Sequence, residues 1–178
     1  PRRARRAAVR ARRGARARGG TRAQARSRPS SPAFDEPWAT LASWGGSALG
    51  LACLHEHARR DARGPQPFVL AVGVAVRAGL PTAARAAVLS RAPLSGLYAE
   101  GHVGGELGAR LARVADALVL EGHTSRAGAV LLVGEDGRCE LVARPELRGA
   151  SPAETVRALE AELGPAAVLA LGPAGERG

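Results

Sequence analysis

Gly104-Gly105, followed by Gly108 and a run that reads as a helix, sets bare backbone at a helix start. The N–H groups of a first helical turn have no partner inside the helix, and the helix dipole favours negative charge there. Such a start therefore suits an anion, phosphate above all. The spacing is not the G-x-G-x-x-G of a dinucleotide fold, and a tight turn with close helix packing is the plainer account of the same residues. Arg85 lies within an otherwise apolar and small-residue segment, AARAAVLSRAP (83–93). A buried arginine needs a partner. Phosphate is a good one, because the planar guanidinium bonds it bidentately; the alternative is an edge-strand arginine in water. Gly172-Pro173-Ala174-Gly175 follows the apolar run AVLALG and presents backbone groups at its end. Pro173 has no N–H, so a carbonyl contact to a metal is as admissible there as an amide contact to an anion.

The other reactive side chains are scattered. His55 and His57 are two apart, which places them on different faces of a helix, and His102 and His123 are isolated. Cys53 and Cys139 are the only cysteines and form no C-x-x-C pair, which fits two small buried hydrophobes in a reducing compartment. No Ser/His/Asp order, paired catalytic carboxylates or iron–sulfur cysteine spacing is visible. The residues alone describe a scaffold able to hold an anionic cofactor, with no chemistry of its own.

These residues must be positioned by the elements around them. Apolar spacing at Ala48, Leu51, Ala52 and Leu54 predicts a helix from about Ser47 to Arg60. QPFVLAVGVAV (66–76) reads as a buried strand, and 83–93 as another with Arg85 at its start. A Gly-rich turn, a helix over about 105–114 and the strand DALVLEG (116–122) follow. GAVLLVGEDGRCELVA is a hairpin turning at Glu135-Asp136-Gly137. Ser151-Pro152-Ala153-Glu154 is a capping box opening a helix over 151–163, with Val156, Leu159 and Leu163 inward. AVLALG (167–172) reads as a last strand. Hairpins mixed with strand–helix alternation predict an α+β fold with mixed sheets and flanking helices. WGGSALGLACL (44–54) and VGGELGARLARV (103–114) echo each other, as in a duplicated half-domain.

Charge divides the chain. Residues 1–28 hold 12 of the 26 arginines and no acid, whereas residues 29–178 hold 14 arginines against 16 acids, so the net charge of +10 belongs to the first segment. That segment has almost no large apolar group and reads as disordered, giving a tail and linker over 1–37 and a folded domain over 38–178. It suits phosphate neutralisation on nucleic acid or an anionic membrane, but lacks interleaved aromatics for base stacking. Its composition also matches a transit peptide. A solvated tail is the reading taken, with nucleic acid not favoured. No apolar run approaches the roughly 18 residues that span a bilayer, and the expectation is a cytoplasmic protein with no membrane contact.

From about Trp44 to Gly178 the linear pattern resembles the N-terminal domain of the aldehyde ferredoxin oxidoreductase family, the tungsten or molybdenum bis-pyranopterin enzymes. Gly45-Gly46-Ser47-Ala48-Leu49-Gly50 resembles the family's GGRGLG, and Ala92-Pro93-Leu94-Ser95-Gly96 its S-P-L-T-G. Gly104-Gly105 with Gly108 resembles GGFFG, DALVLEG resembles DALVIEG, and Gly172-Pro173-Ala174-Gly175-Glu176 resembles a later landmark. The resemblance implies a platform of two similar half-domains on which the phosphates of two pyranopterins lie, bridged by magnesium. It implies that Arg85 contacts pterin phosphate and that Gly104, Gly105 and Gly175 let the backbone approach. It also implies that the backbone carbonyls of His102 and Ala174 hold the magnesium. The family's reaction oxidises aldehydes to acids and sends electrons through a 4Fe-4S cluster to ferredoxin.

The departures are specific. Ser47 stands where the pattern has Arg, Glu100-Gly101-His102-Val103 where it has D-S-N-S, and Ala71-Val72-Gly73-Val74-Ala75-Val76-Arg77 where it has A-T-G-P-L-T-G. The family's cluster cysteines belong to later domains. The sequence therefore reads as a fragment of a longer enzyme, a subunit working with a separate cluster-bearing subunit, or a remnant, inactive by itself. The alternative function is a non-catalytic protein binding an anion, pterin or nucleic acid.

Overall fold

A computed structural model of the chain describes residues 22–26, 38–61, 64–124 and 128–177. Three apolar runs of the sequence, β2 (Phe68–Val72), β3 (Ala86–Arg91) and β5 (Ala117–Glu121), join β1 (Arg22–Arg26) and β4 (Tyr98–Val103) in a five-stranded sheet of order β1-β5-β2-β3-β4. Every neighbouring pair is antiparallel. The fold is α+β as expected, with antiparallel rather than mixed sheets.

Side chains alternate across a strand, so this sheet has two apolar faces. Val69, Ala71, Ala87, Leu89, Ala117 and Val119 face one way, under Leu49, Ala52 and Cys53 of α2 (Gly46–Arg60) and Ala42 of α1 (Trp38–Ser43). Leu70, Val72, Ala86 and Leu118 face the other way, toward Leu111 of α4 (Leu107–Val114), with Val76 of α3 (Val74–Arg77) beside them. The hairpin of β6 (Ala129–Val133) and β7 (Cys139–Ala143) completes that second face with Leu131, Val133 and Cys139. Its turn is the one expected: the Gly137 N–H donates to the Gly134 carbonyl at 2.9 Å, and Asp136 Oδ1 accepts from the Arg138 N–H at 3.0 Å.

α5 (Pro152–Leu163) opens on a complete capping box. Ser151 Oγ accepts from the Glu154 N–H at 3.3 Å, and the Glu154 carboxylate accepts from the Ser151 N–H at 2.8 Å. Leu159 is its buried residue, whereas Leu163, expected inward, is 46% exposed.

Four other expectations change. Arg22–Arg26, expected in a disordered tail, pairs as β1 with β5; pairing needs only main-chain groups, and β5 would otherwise present an open edge. The rest of the expected tail lies outside the described residues. The run 66–76 is a strand only to Val72, because Gly73 bridges Gly45 and α3 then begins. β4 arises where only a Gly-rich turn is expected, and the helix after it starts at Leu107 rather than 105. Residues 167–172 form no strand: Leu169 and Leu171 are 50% and 69% exposed, and regular structure resumes only with α6 (Pro173–Arg177).

Candidate functional site

The antiparallel registers bring particular chain positions to one end of the sheet. Val72 lies opposite Ala86 and Ala86 opposite Val103, so Gly73, Arg85 and Gly104 share that end with Asp116, the residue before β5. Both glycine-led helices start there, on opposite faces. Gly45 has φ +71° and bridges Gly73, so closely that a Cβ would collide with the Val72 carbonyl oxygen. Only glycine takes that conformation in that space without strain. On the other face, a Cβ at Gly108 would lie 2.9 Å from the Arg85 carbonyl carbon and 3.1 Å from the Ala86 nitrogen. Glycine there lets α4 press against the backbone that leads into β3.

Neither start is closed by a side chain: Gly45 before α2 and Glu106 before α4 make no capping bond. Leu107, Gly108 and Ala109 follow Gly104 and Gly105, where a Cβ would meet only open space. The first-turn N–H groups of both helices are the unpaired donors of any helix start.

Arg85 is exposed immediately before β3, where the sequence suggests an arginine inside the strand, and its guanidinium forms no ion pair with a described residue. The arginine that does need a partner is Arg77. Its Nη1–H donates to Asp116 Oδ1 at 2.6 Å, and its Nη2–H to the Ser43 carbonyl at 3.3 Å. Asp116 is only 7% exposed, and its carbonyl accepts from the Val72 N–H at 2.9 Å. This pair braces α3, β5 and the end of α1 just below the sheet end.

A second unforeseen cluster lies on the α2 side. Tyr98, Glu100 and His102 alternate along edge strand β4, with Glu100 opposite Leu89 and His102 opposite Ala87. Ser47 Oγ–H donates to one Glu100 oxygen and Tyr98 O–H to the other. His102 Nε2 lies 3.4 Å from Glu100 Oε1. The Ser47 hydroxyl, then the Tyr98 hydroxyl, holds the Glu100 carboxyl below its usual range. Burial, then the bond to Glu100, pushes the Tyr98 phenol up to about 12. The signal for this cluster was the polar alternation at 98, 100 and 102.

The structure thus brings Arg85, His102, Gly104 and Gly105 to one place. Ala174 and Gly175 lie in α6, whose neighbours are elsewhere: the Gly149 N–H donates to Glu176 Oε2 at 2.9 Å, and Gly172 packs on Pro152. Among the described residues no group of three or more His, Cys, Asp or Glu side chains is placed to hold a metal, and no helix is long and apolar enough to cross a membrane.

Comparison with known proteins agrees with this architecture. The chain resembles the solved structure described as the active site complex BamBC of benzoyl coenzyme A reductase in complex with 1,5-dienoyl-CoA, with a TM-score of 0.61 and 20% identity. The match covers 74% of this chain and 20% of that one, so the chain spans about a fifth of that protein's length and the likeness is one of fold. No curated protein matches. Residues 32–178 match the family model for the aldehyde ferredoxin oxidoreductase N-terminal domain. The chain therefore belongs to the aldehyde ferredoxin oxidoreductase family, with residues 32–178 as its N-terminal domain.

Proposed function

We propose that this domain is the cofactor platform of an aldehyde-oxidising enzyme, holding phosphate of a tungsten or molybdenum pyranopterin at the sheet end where α2 and α4 begin. One observation in this chain carries the reading. The uncapped start of α4, on open backbone at Gly104-Gly105, packs at Gly108 against the backbone of Arg85, an exposed arginine with no ion pair among the described residues. Those residues fit a phosphate: first-turn N–H groups that the Glu106 side chain does not cap, space where side chains would stand, and an exposed cation with no ion pair among the described residues.

In this reading Arg85 orients the phosphate, and Gly104 and Gly105 admit it to the backbone. His102 contributes its carbonyl to magnesium, which leaves its side chain free to lie beside Glu100. Ala174 would give the second carbonyl, with Gly175 as the close-approach residue; α6 must then reach the sheet end from its place beside Gly149. When bound, the cofactor supplies the two-electron chemistry that converts an aldehyde to a carboxylic acid with oxygen from water. This chain contributes binding and orientation, and no general acid or base. The 4Fe-4S cluster and the ferredoxin contact are assigned to other domains or to a separate subunit, in a cytoplasmic enzyme.

The test is binding. Pyrophosphate or isolated pyranopterin should bind the chain saturably, and Arg85→Ala should weaken it about tenfold, the scale of one charge-assisted contact, with circular dichroism unchanged. The chain alone should oxidise no aldehyde. Turnover by the chain alone, or binding indifferent to Arg85, would sink the reading. Salt-dependent nucleic-acid binding that disappears with residues 1–28 would favour the non-catalytic alternative.

A further inference from the structure

The five-stranded sheet ends on two edge strands, β1 and β4. An edge offers a row of unpaired main-chain groups to another strand unless its side chains discourage pairing. β1 carries Arg22, Gln24 and Arg26, so a second copy of β1 laid antiparallel about Gln24 would set arginine against arginine. β4 has no lysine, arginine or proline, and four of its six residues are exposed, so it is the unguarded edge.

The main-chain bonds fix which groups of β4 face outward. The Ala92 N–H donates to the Leu97 carbonyl at 2.8 Å, and in the β3–β4 register bonded pairs then recur at every second position. The Val72 N–H donates to the Asp116 carbonyl at 2.9 Å, and carrying the alternation from there across β2 and β3 gives the same parity. Ala99, Gly101 and Val103 therefore exchange bonds with β3, and Tyr98, Glu100 and His102 turn their N–H and C=O groups away from the sheet. Antiparallel pairing of two β4 strands must match these outward groups with one another. A twofold axis at Glu100 would set carboxylate against carboxylate, and one at Ala99 would set His102 against Gly96 in the turn. An axis at Gly101 sets Glu100 of each copy opposite His102 of the other. The imidazole is an N–H donor in either protonation state, so both cross-strand pairs are complementary. The other face then matches Ala99 with Val103. On the axis stands Gly101, with nothing within 4 Å of the place a Cβ would take.

We infer that β4 is an interaction surface for a second copy of this chain: two β4 strands pair antiparallel about Gly101 and join two sheets into one. Such a contact is isologous and closes at two copies. A pairing of this length is small for a permanent interface, so assembly should follow concentration in the micromolar range. The Glu100 N–H of one copy would bond the His102 carbonyl of the other, the oxygen that the platform reading gives to magnesium, so the paired form is one without magnesium there. The inference itself does not rest on that reading.

Sedimentation equilibrium of the whole chain, with no magnesium or phosphate added, reads the assembly, and thermal melts establish that each variant folds. The natural chain should pass reversibly from monomer to dimer as its concentration rises. His102→Pro removes an outward N–H and no bond to β3, so it should fold and stay monomeric. His102→Glu sets carboxylates opposite one another in both cross-strand pairs and should weaken the dimer about tenfold. Adding Glu100→His to His102→Glu restores unlike pairs and should restore assembly. Gly101→Cys should form a disulfide across the axis under mild oxidation, because facing residues of a non-hydrogen-bonded antiparallel pair lie about 4.5 Å apart. Ala99→Cys, which faces Val103, should not, and the natural chain with Cys53 and Cys139 sets the baseline. A natural chain monomeric at every concentration, open-ended assembly, or a dimer indifferent to His102→Pro would overturn the inference. So would a double variant no better than His102→Glu, or crosslinking through Ala99→Cys in place of Gly101→Cys. Should His102→Pro fail to fold, the charge exchange and the cysteines carry the same test. None of these outcomes bears on phosphate binding at α4, so failure here leaves the platform reading as it stands.

Discussion

α5 closes its own start, and α2 and α4 do not. At α5 the cap is made within four residues, Ser151 and Glu154 exchanging bonds between side chain and backbone. At α2 the residue before the helix is Gly45, and at α4 it is Glu106, after Gly104-Gly105; neither makes a side-chain capping bond. The two kinds of start are held in different ways. α5 depends on a local exchange worth about 1 kcal/mol. The glycine-led helices depend on tertiary contacts that press them to the sheet, through Gly45 on Val72 and Gly108 on the backbone of 84–86. A helix start that is fixed in place yet left uncapped leaves its donors to solvent or to a ligand. On the proposed platform reading, that difference separates a structural helix from a binding one.

The comparison breaks first where the uncapped end is braced. Asp116→Ala would leave the Arg77 guanidinium buried without its carboxylate, and removing one partner of such a pair costs about 3–5 kcal/mol. Asp116→Asn should recover part of that loss, because the amide oxygen still accepts from Arg77. Urea denaturation of the two variants checks both the size and the order.

Gly45→Ala comes next. It forces a side chain onto a φ of +71° and into the Val72 carbonyl, with no flexible atom able to give way. Strain and overpacking together should cost about 3 kcal/mol. A loss below about 1 kcal/mol would mean that the start of α2 is not pinned by this contact.

The capped helix gives a smaller effect with its own pH signature. Ser151→Ala removes an N-cap and should cost about 1 kcal/mol near neutral pH. The Ser151 hydroxyl, then its N–H, holds the Glu154 carboxyl below its ordinary 4.5. A depressed folded value adds stability above the unfolded pKa, and that stability is lost as pH falls through the folded value. The gap between natural and Ser151→Ala melting temperatures should therefore narrow below about pH 4. A gap constant into acid would show that the carboxylate takes no part in the cap.

What the sequence made legible follows the same division. The capping box and the β6–β7 turn were readable because every partner lies within a few residues. The strand expected at 167–172 has the apolar composition of a strand, but a strand also needs a neighbour, and composition does not supply one. β4 was hidden for the opposite reason: as an edge strand it carries Tyr98, Glu100 and His102 on one face, and no apolar alternation announces it. Of two arginines beside apolar strands, the sequence pointed to Arg85 as the one in need of a partner. Arg77 is the paired one, because its acid lies 39 residues along the chain and only the β2–β5 register brings it close. The glycines at 45, 104 and 105 were seen, but which of them serve packing and which serve a ligand is a tertiary fact.

Gly104→Ala separates those two uses and has the smallest effect on the fold. Nothing lies within 4 Å of the Cβ it would add, and Gly104 has no positive φ. Its stability should stay within about 0.5 kcal/mol of the natural chain, as for a surface substitution away from special features. The methyl group would stand in the space before α4 that the platform reading gives to phosphate. Pyrophosphate affinity should therefore fall severalfold while the melting temperature holds, whereas Gly45→Ala moves melting first and binding only through it. Unchanged affinity in a fully folded Gly104→Ala would make Gly104 a turn residue like any other. The uncapped start of α4 would then be a helix end served by water, and its likeness to α2 a matter of packing alone.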